Sequence, residues 1–356
     1  MHIGILTGGG DCPGLNAVIR AVTLALLRDG ASRVTGIERG FHGLLAQRSR
    51  PLTMVDVTGI LAVGGTILGT HNSCDPFHDN EAGGADRSAD ALAYARALGL
   101  DGLVVIGGDG TMGIANRFHE LGLPVVGVPK TIDNDLPCTD RTFGFDSAVA
   151  VVSEALDRLS TTARSHGRVM IAETMGRYAG WIALEGGMAG GADAILIPER
   201  PFDVERVADL CRQHEARGGV GGCTLICIAE GAHARGEGLT VRATLPGSPD
   251  PLRLGGVGQA LQHRLQPLVK SEVRTTLLGY TQRGGSPTAY DRVLATRFGF
   301  EAAQLVKAGR FGRMVALQGE DVASAALADV AGRSRPVPPD HPLLQAARGI
   351  GVSLGD

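Results

Sequence analysis

Apolar positions fall in short, β-branched runs, each ended by glycine or charge and followed by a stretch with a period near 3.6. The first run, His2-Ile3-Gly4-Ile5-Leu6-Thr7, predicts a strand, and Leu15 onward predicts an amphipathic helix to about Arg28. Residues 33–37 predict a second strand, 53–62 a helix closed by Gly64-Gly65, and 86–98 another helix. Between the last two, residues 66–77 match neither period and predict a loop, the kind of segment that often carries function. Residues 101–106 form the most continuous buried-strand pattern, with a helix over 112–121 behind it. A strand at 123–128 follows, then a long helix over 146–162 that starts on Asp146 as its own N-cap.

The alternation restarts after about residue 145. Strands are expected at 167–173, 194–198, 224–229 and 273–280, and a last one at 314–318. Helices are expected at 181–188, 204–215, 257–270 and 289–308. Residues 231–256 are polar and rich in Gly and Pro, which predicts a mobile loop. Pro336-Val337-Pro338-Pro339 makes the tail a connector plus one short element. The pattern predicts an α/β chain of two Rossmann-like three-layer domains with mostly parallel sheets.

Composition narrows the class. With 356 residues, 44% of them hydrophobic, the chain can bury two ordinary cores. A formal charge of -3 argues against a nucleic-acid or membrane-surface partner. The interrupted first residues argue against a signal peptide, and no apolar stretch is long enough to span a bilayer. Cys12, Cys74, Cys138, Cys211, Cys223 and Cys227 have neither CxxC nor zinc spacing and read as reduced thiols of a cytosolic protein. Lysine occurs only at positions 130, 270 and 307, so a lysine inside a motif carries weight.

Three strand ends carry candidate chemistry. Gly8-Gly9-Gly10-Asp11-Cys12-Pro13-Gly14 joins a strand to a helix, as a phosphate cradle does, but it is neither GxGxxG nor GxxxxGK[ST]. A tight turn without a ligand is the plain alternative. Gly107-Gly108-Asp109-Gly110-Thr111 repeats the arrangement with a carboxylate, which beside phosphates suits magnesium. Asp109 as a simple helix N-cap is the alternative there. Third, Pro129-Lys130-Thr131-Ile132-Asp133-Asn134-Asp135 sets one ammonium beside two carboxylates. On an extended backbone Asp133 and Asp135 would point the same way, one for a cation and one for a proton. An Asx-rich surface turn is the bland reading. Arg168, Arg177, Arg274 and Arg283 each lie at an expected strand end and suit an anionic substrate, although a lone surface Arg is more often an ion-pair residue.

TGGGDCPGLNAVIR, GGTILGT, VVIGGDGT, PKTIDND, TFGFDSAV, MGRYAGW, AEGA and QRGGSPTAYDR, in this order, resemble the motifs of the 6-phosphofructokinase family over nearly the whole chain. The match is closest to a bacterial group with ATP-dependent and pyrophosphate-dependent members. The resemblance implies an active site in the cleft between two domains, a homodimer or homotetramer with shared sites, and a cytoplasmic enzyme of glycolysis. Residues 1–144 with about 283–332 would take MgATP, and 145–282 with 333–356 fructose 6-phosphate. Asp133 would be the base, aided by Lys130, Thr131 and Arg177. Asp109 and Asp135 would hold Mg2+. Gly10, Asn72, Gly108, Gly110 and Thr111 would line the donor. Thr131, Asp133, Arg168, Met175, Gly176, Arg177, Glu230, Arg274, Tyr280 and Arg283 would bind the sugar phosphate, Arg168 and Arg274 from a neighbouring subunit.

Some positions depart from the family's ATP enzymes. Lys130 replaces a glycine and is typical of pyrophosphate users, whereas Gly110 is the ATP-type residue. Gly110 weighs more, because an Asp there would repel an α-phosphate while an added cation excludes nothing. Asn72 stands where many ATP enzymes carry Arg, and Tyr280 replaces a His. A pyrophosphate-dependent phosphotransferase is the alternative, and a non-catalytic sugar-phosphate or nucleotide sensor a remote one.

Overall fold

The computed structural model describes residues 1–28, 30–219, 222–244 and 251–356. The chain begins β1 (His2–Thr7), α1 (Leu15–Leu27), β2 (Arg33–Ile37), α2 (Phe41–Leu45), β3 (Ser49–Leu52), α3 (Ser88–Ala97), β4 (Gly102–Gly107), α4 (Asp109–Glu120) and β5 (Val125–Pro129). It continues α5 (Phe145–His166), β6 (Val169–Thr174), α6 (Trp181–Ala189), β7 (Ala194–Leu196), α7 (Val204–Arg217), β8 (Thr224–Ala229), β9 (Val241–Thr244), β10 (Leu252–Leu254) and α8 (Val257–Leu265). It ends β11 (Val273–Leu277), α9 (Ala289–Lys307), β12 (Arg313–Gln318), β13 (Asp321–Ala326), α10 (Leu327–Val330) and α11 (Pro342–Gly349).

Two compact units result. The first holds Met1–Ser147 and Arg283–Arg335, the second residues 148–244, 251–282 and Pro336–Asp356. The first unit's sheet has the order β13-β12-β5-β4-β1-β2-β3, parallel except for the edge strands β13 and β3. Every residue of β1, β4 and β5 is buried, which is why these strands read as unbroken apolar runs. Leu103, Val105 and Val125 pack with Met112, Phe118, Ala91 and Leu327, from α4, α3 and α10. Strand alternation sends Val104, Ile106, Val126 and Val128 to the opposite face. The second unit's sheet is parallel throughout, β11-β6-β8-β7, over a core that includes Ile171, Ile226, Val207 and Leu261.

Several expectations need correction. No α-helix covers 53–62: the Asp56 carboxylate accepts from the Thr53 N–H (2.8 Å) and hydroxyl (2.5 Å), closing a turn, and only Ile60–Ala62 winds, as a 3-10 turn. Val57 and Ile60 are buried from this turn while Val55 stays 82% exposed. Residues 231–256 are not all loop, since β9 and β10 pair antiparallel; residues 245–250 of that stretch lie outside the described ones. Pro267 ends the regular helix, so α8 stops at Leu265 and a 3-10 turn follows. β11 stops at Leu277, and Tyr280 lies on the 3-10 turn Gly279–Gln282. β12 is not the last strand: β13 follows, its Ala/Ser composition too weakly apolar to read. Asp146 is inside α5 rather than capping it, and accepts from the Thr288 hydroxyl at 2.6 Å.

Candidate active site

In the first unit, three strand ends of the parallel sheet meet the anion-binding chemistry. At the end of β1 the backbone turns with Gly9 at φ 72°. A Cβ on Gly10 would lie 2.7 Å from the Arg283 guanidinium, and one on Gly8 2.8 Å from the Thr111 side chain. Arg283 donates to the Asp11 carbonyl at 3.2 Å, and Lys130 Nζ donates to the Gly10 carbonyl. Lys130 is 4% exposed, and burial, with Arg283 adding to it, lowers its pKa. Two cations thus converge on one glycine turn. The family resemblance gives Arg283 to the sugar phosphate or the phosphoryl group in transfer, and its guanidinium stands beside Gly10.

At the end of β4, Gly108 precedes α4 and makes no side-chain cap, so Asp109 is the first helical residue rather than the N-cap. Thr111 is buried because its side chain fills the space at Gly107, where a Cβ would come within 2.2 Å of it, and at Gly8. Its packing role was not legible in sequence. Asp109 and Gly110 are exposed, and a Cβ on Gly110 would meet nothing within 4 Å. Asn72 is exposed in the loop behind Thr70, whose hydroxyl ties that loop to the Gly9 carbonyl at 2.5 Å.

At the end of β5 the backbone does not stay extended. It turns at Ile132-Asp133, and Asn134 takes φ 51°, a left-handed value Asn tolerates better than most residues. Alternation therefore does not align Asp133 with Asp135. The turn is held by the Asp133 N–H to Thr131 Oγ1 (3.1 Å), Thr142 Oγ1 to the Thr131 carbonyl (2.7 Å) and the Thr142 N–H to Asn134 Oδ1 (3.0 Å). Burial, then the carboxylates of Asp133 and Asp109, push Asp135 up to about 7. Three carboxylates from two strand ends thus share one field. Among the described residues no group of three His, Cys, Asp or Glu side chains forms a metal cage. Magnesium needs none: it takes one or two carboxylates with substrate phosphates and water, and the crowding at Asp109, Asp133 and Asp135 fits such a cation.

In the second unit, Met175, Gly176, Arg177 and Glu230 gather at the carboxyl ends of β6 and β8, where the Glu230 N–H donates to the Thr174 carbonyl at 2.9 Å. Gln282 orders the loop by accepting from the Met175 N–H at 3.3 Å. Gly176 has φ 124°, and a Cβ on Gly231 would lie 1.9 Å from the Arg177 carbonyl. Arg177 Nη2 donates to the Leu252 carbonyl at 2.8 Å, so β10 touches this arginine. Glu173, unnoticed in sequence, is 1% exposed and accepts from the Gly256 and Gly258 N–H groups, each at 2.8 Å. Arg168 and Arg274 lie at the opposite, amino ends of β6 and β11, both paired with Glu272. β6 has six residues, which separates the two ends of the strand by about 20 Å. Tyr280 is 78% exposed.

A family model described as phosphofructokinase matches residues 2–306. The ATP-dependent 6-phosphofructokinase of Chloroflexus aurantiacus is 49% identical over 358 residues, spanning 100% of this chain and 98% of that protein. The pyrophosphate–fructose 6-phosphate 1-phosphotransferase of Amycolatopsis methanolica is 48% identical over 341 residues, spanning 96% and 97%. Among solved structures, Saccharomyces cerevisiae phosphofructokinase matches with a TM-score of 0.78 and 30% identity over 92% of this chain, which spans 45% of that longer one. A pyrophosphate-dependent phosphofructokinase from Nitrosospira multiformis shares the fold, at TM-score 0.83 and 18% identity over 100% of this chain and 92% of its own. With glycine cradles, acidic turn and arginine loop in the order its motifs predict, the chain belongs to the phosphofructokinase family.

Proposed function

We propose that this chain is an ATP-dependent 6-phosphofructokinase, which moves the γ-phosphoryl group of ATP to the 1-hydroxyl of fructose 6-phosphate. Overall similarity does not choose the donor, because relatives named for ATP and for pyrophosphate are 49% and 48% identical. The observation that carries the choice is Gly110: exposed, at the start of α4, with free space where a side chain would stand. That space suits the α-phosphate and nucleoside of ATP.

In this mechanism Asp133 accepts the proton of the 1-hydroxyl as its oxygen attacks the γ-phosphorus and the bond to ADP breaks. Gly10, Gly108, Gly110 and Thr111 line the donor phosphates, with Asn72 at the rim. Lys130 and Arg283 neutralise charge on the donor, and Arg177 and Thr131 on the group in transfer. Asp109 and Asp135 would hold Mg2+, which supplies further neutralisation when bound. The first unit takes the donor; Met175, Gly176, Arg177, Glu230 and Tyr280 of the second take the sugar phosphate. Arg168 and Arg274, at the amino ends of their strands, serve the site of a neighbouring subunit, which makes the enzyme a homodimer or homotetramer. A glycolytic, cytoplasmic role follows.

The second reading, pyrophosphate as donor, is favoured by Lys130 buried against the Gly10 turn. Purified protein assayed side by side with MgATP and with pyrophosphate decides: turnover with ATP is expected, and turnover with pyrophosphate alone overturns the proposal.

A further inference from the structure

Arg335 follows α10 in the tail, two hundred positions from the acidic turn it touches. Its Nη2 donates to the Asn134 carbonyl at 2.8 Å and to the Asp140 carbonyl at 3.1 Å. Its own N–H donates to the Asp135 carbonyl at 2.6 Å. The loop it spans contains two non-glycine residues with left-handed backbones, Asn134 at φ 51° and Cys138 at φ 66°. Such conformations persist only where surrounding bonds hold them.

Other ties fix the ends of this loop. Thr142 binds Asn134 Oδ1 and the Thr131 carbonyl on one side. On the other, the Asp140 N–H donates to the Leu317 carbonyl (2.9 Å) and Asp140 Oδ2 accepts from the Gly319 N–H (2.7 Å). The guanidinium joins the two ends, alongside a longer contact from Asn134 Nδ2 to the Asp140 carbonyl (3.5 Å).

We propose that Arg335 is a positioning residue for phosphoryl transfer: by strapping the Asn134 and Asp140 carbonyls it holds the turn in the shape that presents Asp133 to the reacting hydroxyl. The inference rests on the reading of Asp133 as the base. Through these bonds Arg335 acts on the backbone of the turn, so its loss changes the rate of transfer more than the binding of either substrate. A misplacement of order 1 Å is worth about a hundredfold in rate.

Steady-state kinetics of Arg335→Ala, Arg335→Met and Arg335→Lys, each with a thermal melt, test this. Arg335→Met keeps most of the apolar stem and loses every side-chain donor, so it covers the event that the alanine variant folds poorly. The expected result for Met is a kcat lower by about tenfold to a hundredfold, with KM for both substrates and the melting midpoint close to the parent's. Arg335→Lys, which keeps a cation with several donors, is expected to regain part of the loss. Parental kcat in Arg335→Met, a loss that tracks the fraction unfolded, a change in KM alone, or a lysine variant no better than Met would overturn the strap. Asp133→Asn run beside them separates the two claims: parental turnover there removes the base assignment, whereas a dead Asp133→Asn with a fully active Arg335→Met removes only the strap.

Discussion

A carboxylate at position 110 is the sharpest perturbation of the donor assignment. Gly110 lies in the first turn of α4, and an added Cβ meets no atom within 4 Å. Folding should therefore tolerate Gly110→Asp. Replacing a helical glycine removes an entropic cost of about 0.5–1 kcal/mol, and an acid near a helix N-terminus adds roughly 0.3–1 kcal/mol of stability. Bound ATP meets the opposite effect. A new carboxylate about 5 Å from the α-phosphate, at an effective dielectric of roughly 20, costs about 3 kcal/mol, or about two hundredfold in affinity for the transition state. Pyrophosphate has no third phosphoryl group to be repelled. The assay is kcat/KM for MgATP and for pyrophosphate in parent and variant, with thermal melts of both. The expected outcome is a loss of about two decades with ATP, an unchanged or higher melting midpoint, and no matching loss of whatever pyrophosphate turnover the parent has. A variant with parental ATP kinetics refutes the placement of the α-phosphate beside Gly110.

Three further outcomes are expected. Asp133→Asn should lower kcat by about a hundredfold to ten-thousandfold while isothermal titration finds sugar phosphate bound as in the parent; undiminished turnover contradicts the base assignment. Gly231→Ala puts a methyl 1.9 Å from the Arg177 carbonyl, so the arginine loop must shift, which costs about 1–3 kcal/mol of stability and most of the activity; a melt and a rate at parental values would deny that close approach. Asp291 is fully buried, accepts from the Ser147 N–H and hydroxyl, and is pushed up to about 6 from 3.8, chiefly by burial. A carboxyl with a raised pKa favours the folded state only while protonated, so this group's stability is present below pH 4 and lost as pH rises to 6, by about 3 kcal/mol. In Asp291→Asn, whose side-chain oxygen can still accept from Ser147, the denaturation midpoint should decline less from pH 4 to 6 than in the parent; equal declines would assign that pH dependence elsewhere.

What sequence made legible was whatever depends on burial pattern and residue type. β1, β4, β5, β6 and β8 are covered on both faces, so their apolar runs announce them, and the glycines at their ends mark the turns. The kinds of group in the site were legible for the same reason, since charge directly after a buried strand is unusual. Geometry was not. Alternation places Asp133 and Asp135 side by side only on an extended chain, whereas the observed turn is set by a left-handed Asn134 and by Arg335, a contact with no local signal. Thr111 has the residue type of a phosphate ligand, yet its packing against Gly8 and Gly107 depends on two chain segments meeting. Glu173 sits within an apolar strand, and only the fold reveals the N–H groups of Gly256 and Gly258 that satisfy it.

The charges of the first unit also explain why these strand ends, rather than others, carry the chemistry. Burying Lys130 lowers its affinity for a proton, and burial of Asp135, with the carboxylates of Asp133 and Asp109 added, raises its own, so each sign is held against its preference. A fold gains nothing from such an arrangement unless something of opposite charge spends time beside each group. On the proposed function, polyphosphate would meet that need at Lys130 and Arg283, and a divalent cation would meet it at Asp109 and Asp135. A metal-bound polyphosphate answers both at once, and a free sugar or a dinucleotide that presents no terminal phosphoryl group to the acidic turn answers neither. Donor affinity should accordingly depend on magnesium more steeply than sugar-phosphate affinity does, because the metal is shared with the donor's phosphates while the sugar meets the acidic turn only through its hydroxyl at Asp133. Titration of each substrate with and without the metal measures that difference, and equal dependence would detach the acidic turn from the donor.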